Sequence, residues 1–268
     1  MDFNIEKGDQ KRIVIVGGGF GGLELAKNLR KTGMQIVLID KHNYHQFQPL
    51  IYQVASAGME PSSISFPYRR IFQKYKNLYF RLAEVKQIDV KNKKVITSIG
   101  SVCYDYVVLA AGATSNFFGN KEIEKGSMAM KSLSEAARIR NTVLANIERA
   151  ITTEDPVFRQ ELLNIVVVGG GATGVELAGV MSEMKKTILP RDYPELDASL
   201  MNVYLIQGDN RLLPGMAPES SQKAIDFLRS MGVNVILSKF VNDYKNHKVM
   251  LNDGSSIATR SLIWESGI

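Results

Sequence analysis

Residues 13–26 read IVIVGGGFGGLELA and residues 165–178 read IVVVGGGATGVELA, with 10 of 14 positions identical at an offset of 152. Each copy is a β-branched apolar run, a glycine cluster and then a segment of helix formers. That order reads as strand, tight turn, helix. Copies this far apart are not a short-period solenoid; they predict two separate nucleotide-binding domains in a chain of 268 residues. Neither cluster is followed by Lys-Ser/Thr, so neither is a P-loop.

Each position in the motif has its own physical role. Gly17 and Gly169 permit the turn out of the strand. Gly19 and Gly171 let the backbone approach a pyrophosphate, and Gly22 and Gly174 let helix and strand pack closely. The helix N-terminus then offers free N–H groups and a positive dipole end. Phe20 and Thr173 lie inside these turns as further candidate cofactor contacts. A ribose-reading carboxylate is expected at the end of each second strand. In the first copy the strand is 34–39 (MQIVLI); Asp40 follows it, 18 positions after Gly22, with Lys41 beside it. In the second copy the strand is 202–206 (NVYLI), and Gln207, 33 positions after Gly174, takes the acidic place. A neutral amide can bond a ribose hydroxyl but does not reject a phosphate, and Arg211 is near in sequence. The second site is therefore expected to take a nicotinamide dinucleotide, with NADH against NADPH left open.

The fold class expected is α/β, with two Rossmann-like dinucleotide-binding domains, at 1–120 and 121–268. Between the glycine units, residues 78–95 alternate and carry charge, as a small β-meander does. Residues 104–111 (YDYVVLAA) read as a buried strand ending at Gly112. Residues 133–151 have helical periodicity, with Ser132 and Glu135 as a capping box, and Thr152–Asp155 breaks the helix. A strand at 234–237 follows Gly232, then a hairpin around Asn252-Asp253-Gly254. The chain stops at LIWESGI, just after a strand, which suggests a further C-terminal portion.

Composition excludes several classes. The single cysteine, Cys103, rules out an intrachain disulfide, a zinc knuckle and a CxxC redox pair, and fits a reducing compartment. His42 and His45 lack an evident third ligand, so no metal site is expected. A net charge of +6 is too small to argue for nucleic acid. The opening MDFNIEKGDQKR has no apolar export signal, and no window of about 18–20 apolar residues is available to span a bilayer. Residues 69–94 hold nine basic residues against Glu84 and Asp89. That surface suits either a solvated meander or an anionic membrane or acidic partner.

The paired glycine motifs, YDYVVLAAGATSNFFG and LIWESGI resemble the two-dinucleotide-binding-domain flavoproteins of glutathione-reductase-like architecture. NYHQFQPLIYQVASAG (43–58), MKSLSEAARIRN and ATGVELAG are similar, within them, to the type II NADH:quinone oxidoreductases. The resemblance spans essentially the whole chain. It implies FAD in the first domain, NADH in the second, and a two-electron path to a membrane quinone, menaquinone or ubiquinone. By the same resemblance Pro49 and Gln53 lie beside the isoalloxazine, and Val85, Ala111, Gly112, Thr114 and Gly267 join the cofactor contacts. Glu176 falls where an acidic group stands near the nicotinamide–flavin junction, as the candidate catalytic residue. The alternative for Glu176 is a carboxylate favouring a helix N-terminus, since Glu24 occupies the same place in the first copy. Family members are longer, and their remaining segment closes the FAD domain and supplies membrane-facing helices. A peripheral place on the cytoplasmic face of the membrane is implied, and a homodimer stays open. Two positions depart from the pattern: Gln207, where an acid is usual, and Glu265, where a small residue is usual. Rival functions are a soluble flavin or ferredoxin-type reductase and a non-catalytic cofactor sensor.

Overall fold

The structure is a computed structural model that describes residues 3–267. It divides into two compact units: residues up to Phe47 with Ile64–Ala113, and Gln48–Ser63 with Thr114 onward.

In the first unit, β1 (Arg12–Val16) leads through the glycine turn into α1 (Phe20–Asn28) and then β2 (Gln35–Asp40). A short strand β3 (Tyr44–Gln46) follows, then α2 (Ile51–Ala55), which packs in the second unit. The chain returns through β4 (Ser65–Pro67), α3 (Tyr68–Ile71) and β5 (Leu78–Leu82). An antiparallel meander, β6 (Val85–Asp89), β7 (Lys94–Thr97) and β8 (Gly100–Cys103), precedes β9 (Tyr106–Leu109). The main sheet has order β5-β2-β1-β9, and every pair is parallel. Alternation along β1 and β2 sorts the core. Ile13, Ile15, Ile36 and Leu38 pack with Leu23 and Ala26 of α1 and with Tyr68 and Phe72. Val14, Val16, Val37 and Ile39 face Val95 and Val102 of the meander. Both faces are covered, which is why β1 is a continuous apolar run.

Two expectations are corrected here. Leu78–Leu82 is not meander: it pairs in parallel with β2, and only residues from Val85 onward form the antiparallel meander. The strand after Tyr104 is not buried either. It has one neighbour, β1, and leaves Tyr106 and Leu109 exposed at the sheet edge.

The second unit contains α4 (Lys121–Gly126), β10 (Met128–Ala129), α5 (Leu133–Thr152) and α6 (Pro156–Leu163). Next come β11 (Asn164–Val168), α7 (Ala172–Thr187), α8 (Leu189–Asp192), β12 (Asn202–Ile206), α9 (Pro218–Met231) and β13 (Val233–Ile236). A second antiparallel meander, β14 (Val241–Lys245), β15 (Lys248–Leu251) and β16 (Ser256–Ala258), precedes β17 (Ser261–Trp264). The parallel sheet runs β10-β17-β11-β12-β13. The expected capping box is present: the Ser132 hydroxyl accepts the Glu135 N–H, and Glu135 Oε2 accepts the Ser132 N–H at 2.7 Å. Asp155 caps α6 immediately after α5 ends, with Pro156 in its first turn.

The duplication is therefore far larger than 14 residues. β5-β2-β1-β9 and β13-β12-β11-β17 are the same four-strand order, and each meander lies between the third and fourth strands of its sheet. In the second unit Tyr244, Val249 and Leu251 of the meander pack on Val166, Val168, Leu262 and Trp264. That matches what Val95 and Val102 do in the first.

Candidate functional site

The two glycine turns are built alike. The Gly17 N–H donates to the Ile39 carbonyl and the Gly169 N–H to that of Ile206, each at 2.8 Å. Both glycines have positive φ, +99° and +118°. A Cβ on either would strike the carbonyl of the fourth parallel strand's end, at Ala110 or Glu265. A Cβ on Gly22 or Gly174 would overlap the Gly17 or Gly169 carbonyl. Gly19 and Gly171, which cap α1 and α7, have nothing within 4 Å of where a Cβ would stand. These two positions are open to the outside, and the helix N–H groups behind them suit a pyrophosphate.

The ribose-reading positions also correspond. Asp40 Oδ2 accepts the Gly18 N–H at 2.6 Å, and Gln207 Oε1 accepts the Gly170 N–H at 2.7 Å. Asp40 Oδ1 takes the His42 N–H at 2.7 Å and keeps a second lone pair for a hydroxyl, while the Tyr68 hydroxyl stands 3.5 Å from Oδ2. Lys41 is exposed beside it. One residue of this site, Tyr68, escaped the sequence reading. Tyr68 donates its hydroxyl to the Gly18 carbonyl at 2.6 Å, and His45 Nδ1 lies 3.1 Å from the same oxygen. Burial, then the Asp40 charge, raises the Tyr68 phenol, so it remains a donor. No spacing rule links Tyr68 to Gly18, 50 residues away. Phe20 stands half exposed over His45 and Phe47, edge to face. His42 lies against Tyr44 instead. Val85 opens the meander and packs on the core below β1 and β2.

The fourth-strand ends correspond as well. The Ala110 N–H donates to Val16 and the Glu265 N–H to Val168, each at 2.8 Å. Gly112 and Gly267 then have φ of +73° and +80°. Ala111 and Gly112 are exposed in the first unit, and Thr114 opens the second unit's later segment. In the second unit, the Asn116 N–H donates to the Gly267 carbonyl, and Trp264 Nε1–H to the Asn116 carbonyl, each at 2.9 Å. Trp264 is buried core, stacked on Phe117.

Pro49 and Gln53 belong to the second unit, on the segment that contains α2. That segment packs on α5 and α7. Gln48 Nε2–H donates to the Lys131 carbonyl at 3.3 Å, and Glu60 pairs with Arg140 of α5 at 3.6 Å. Residues 48–58 are thus brought against the helix that begins at the second glycine turn. Thr173 lies in the first turn of that helix, and Glu176 is its fifth residue. The expected first-turn place for Glu176 is corrected: α7 starts at Ala172, so Glu176 lies past the free N–H groups, where the helix dipole has faded. Desolvation raises its carboxyl. Its counterpart Glu24 accepts a hydrogen bond from Asn28 at 3.1 Å, but Val180 stands at the matching place in α7. Glu265, where the first copy has Ala110, is largely buried. Burial pushes its carboxyl up to about 7, with Lys131 pulling the other way.

The sequence profile of the pyridine nucleotide-disulphide oxidoreductases matches residues 11–268. The chain belongs to that family. Two curated relatives come from Mycobacterium tuberculosis. The type II NADH:quinone oxidoreductase Ndh is 32% identical over 96% of this chain, and NdhA is 35% identical over 97%. The chain spans 57% of the length of each. Among solved structures, NDH2 from Plasmodium falciparum in complex with NADH superposes with a TM-score of 0.90 at 23% identity, over 96% of this chain and 55% of that one. That likeness supports the α/β, two-Rossmann fold.

Proposed function

We propose that this chain is the dinucleotide-binding part of a type II NADH:quinone oxidoreductase. FAD sits on the Gly17–Gly22 turn and NADH on the Gly169–Gly174 turn. Electrons leave to a membrane quinone, menaquinone or ubiquinone. The observation that carries the reading is the twin cradle, with the 48–63 segment seated on α7; the names of the curated relatives support it. FAD, when bound, supplies the two-electron chemistry for which a lone cysteine, Cys103, is no substitute. The protein's share is positioning. Asp40 accepts ribose hydroxyl hydrogens, and Gly19 and Gly171 admit the pyrophosphates. Pro49 and Gln53 flank the flavin ring, with Val85, Ala111, Gly112, Thr114 and Gly267 lining the remaining cofactor surface. Desolvation raises the Glu176 carboxyl above its ordinary range, and Glu176 serves the dinucleotide or the proton supply to quinone. The enzyme lies peripherally on the cytoplasmic face of the membrane. Among the described residues no helix is long and apolar enough to cross one.

The test uses full-length protein. It should carry flavin, bleach with NADH and recover its colour with a quinone analogue. Turnover with ferricyanide or ferredoxin but no quinone favours a soluble reductase. Bound flavin with no turnover favours a sensor. Glu176→Gln should lower quinone reduction or raise the KM for NADH by about tenfold or more. Unchanged steady-state kinetics for both substrates would remove Glu176 from the mechanism.

A further inference from the structure

Asp209 lies two residues beyond Gln207, in the loop that leaves β12. Its Oδ2 accepts the Gln207 Nε2–H at 2.8 Å, while Gln207 Oε1 accepts the Gly170 N–H at 2.7 Å. The amide thus bridges the glycine turn to a carboxylate. In the first cradle the acid is Asp40 itself, on the strand end, and the residue two further on, His42, contributes only its N–H. The second cradle therefore has its acid too, displaced by two positions and tethered through an amide. The Asp209 main chain is also held: the Ser238 N–H donates to its carbonyl at 2.9 Å, and the Lys239 N–H to the Gln207 carbonyl at 3.2 Å. The two cations nearest along these loops are engaged elsewhere. Lys239 Nζ pairs with Asp253 at 2.6 Å, and the Arg211 guanidinium donates to the Pro214 carbonyl.

We infer that Asp209 selects a dinucleotide with a free 2′-hydroxyl over its 2′-phosphorylated form, with Gln207 as the positioning residue that holds it. The inference rests on the assignment of a reduced nicotinamide dinucleotide to the second cradle. A carboxylate accepts the hydrogen of a ribose hydroxyl, and the same negative charge opposes a 2′-phosphate. Gln207 alone could do the first and not the second. Lys239 is paired with Asp253 and the Arg211 guanidinium is turned to the Pro214 carbonyl, so both side chains are directed to partners other than Asp209. Strict preference for NADH is thus restored despite the amide on the strand end.

The experiment measures dissociation constants of full-length protein for ADP-ribose and its 2′-phosphate by calorimetry, beside KM and kcat for NADH and NADPH. Wild type should favour the unphosphorylated form in both. Asp209→Asn should shrink the ratio of the two dissociation constants by about tenfold or more, the phosphorylated probe gaining and the plain one losing. Gln207→Ala should move the ratio the same way by less. Raising salt from 0.05 to about 0.5 M should narrow the wild-type ratio and leave the Asp209→Asn ratio nearly flat. A ratio unmoved by Asp209→Asn, or no wild-type preference, overturns the inference while the oxidoreductase reading stands. If neither probe binds and NADH bleaches no flavin, both fall together.

Discussion

Glu265 stands where the first copy has Ala110, and the exchange places an ionisable group at a strand end that is otherwise backbone and small side chains. Its Oε1 is buried with no hydrogen-bond partner among the described residues. Burial raises the carboxyl to about 7, above the range it has in an unfolded chain. A raised folded-state value means the folded protein holds the proton more tightly. The associated stability is fully present below about pH 4.5 and is lost as pH rises through 7. The unfolding temperature of wild type should therefore decline between pH 5 and 8. Glu265→Gln should flatten that decline and be the more stable protein at pH 8, by up to about 3 kcal/mol. Parallel pH profiles for the two proteins would refute a buried acid here. Other residues divide by the distance of their partners. The glycines and Asp40 were legible because motif spacing is local. Tyr68, which holds the Gly18 carbonyl from 50 residues away, was not. Neither was Arg12, a fully buried cation hydrogen-bonded to Gln35 and to the Ile5 carbonyl, at the first position of β1.

Among the elements, α5 was the most readable. A Ser-x-x-Glu cap and a 3.6-residue period are both short-range signals. Glu135 adds a hydrogen bond from the Lys131 N–H at 2.8 Å, so the cap also fixes the chain entering the helix. Ser132→Ala should cost about 1 kcal/mol, read as a lower urea midpoint at unchanged slope. A change in slope instead would mean that the cap controls more than the end of α5. Strands at sheet edges were the elements misread. β5 lies at the end of its sheet with only Phe80 of its five residues buried, and such a mixed pattern is also what a meander strand shows. Only its pairing with β2 separates the two. The tight turn between β14 and β15 was missed as well: Asn246 and His247 both adopt positive φ, 48° and 59°, where glycine would have announced the hairpin.

At the scale of the whole molecule, the same four-strand sheet and meander occur twice, and each copy presents one glycine turn open to a ligand. This predicts separable losses. Gly19→Ala places a methyl where no protein atom stands within 4 Å, and so does Gly171→Ala. Neither should shift the stability of the cofactor-free protein by more than about 1 kcal/mol, because both backbones have negative φ. Gly19→Ala should strip flavin from the purified protein and leave binding of NADH intact. Gly171→Ala should keep the flavin and lose NADH. Loss of both cofactors from either variant would contradict two independent cradles.

What the amino-acid order determined by itself was the pair of strand–turn–helix units, their turn glycines and the acid after β2. All of these depend on neighbours within about 30 residues, so steric and hydrogen-bonding rules can be applied along the chain. The tertiary structure decided the extent of the duplication, since β9 and β17 join their sheets across 90 or more residues. It decided that residues 48–63 pack with the second unit rather than the one that surrounds them in sequence. It also set the Gln207 amide between the Gly170 N–H and the Asp209 carboxylate. A side-chain amide can relay a hydrogen bond only once the fold has set both of its partners in place.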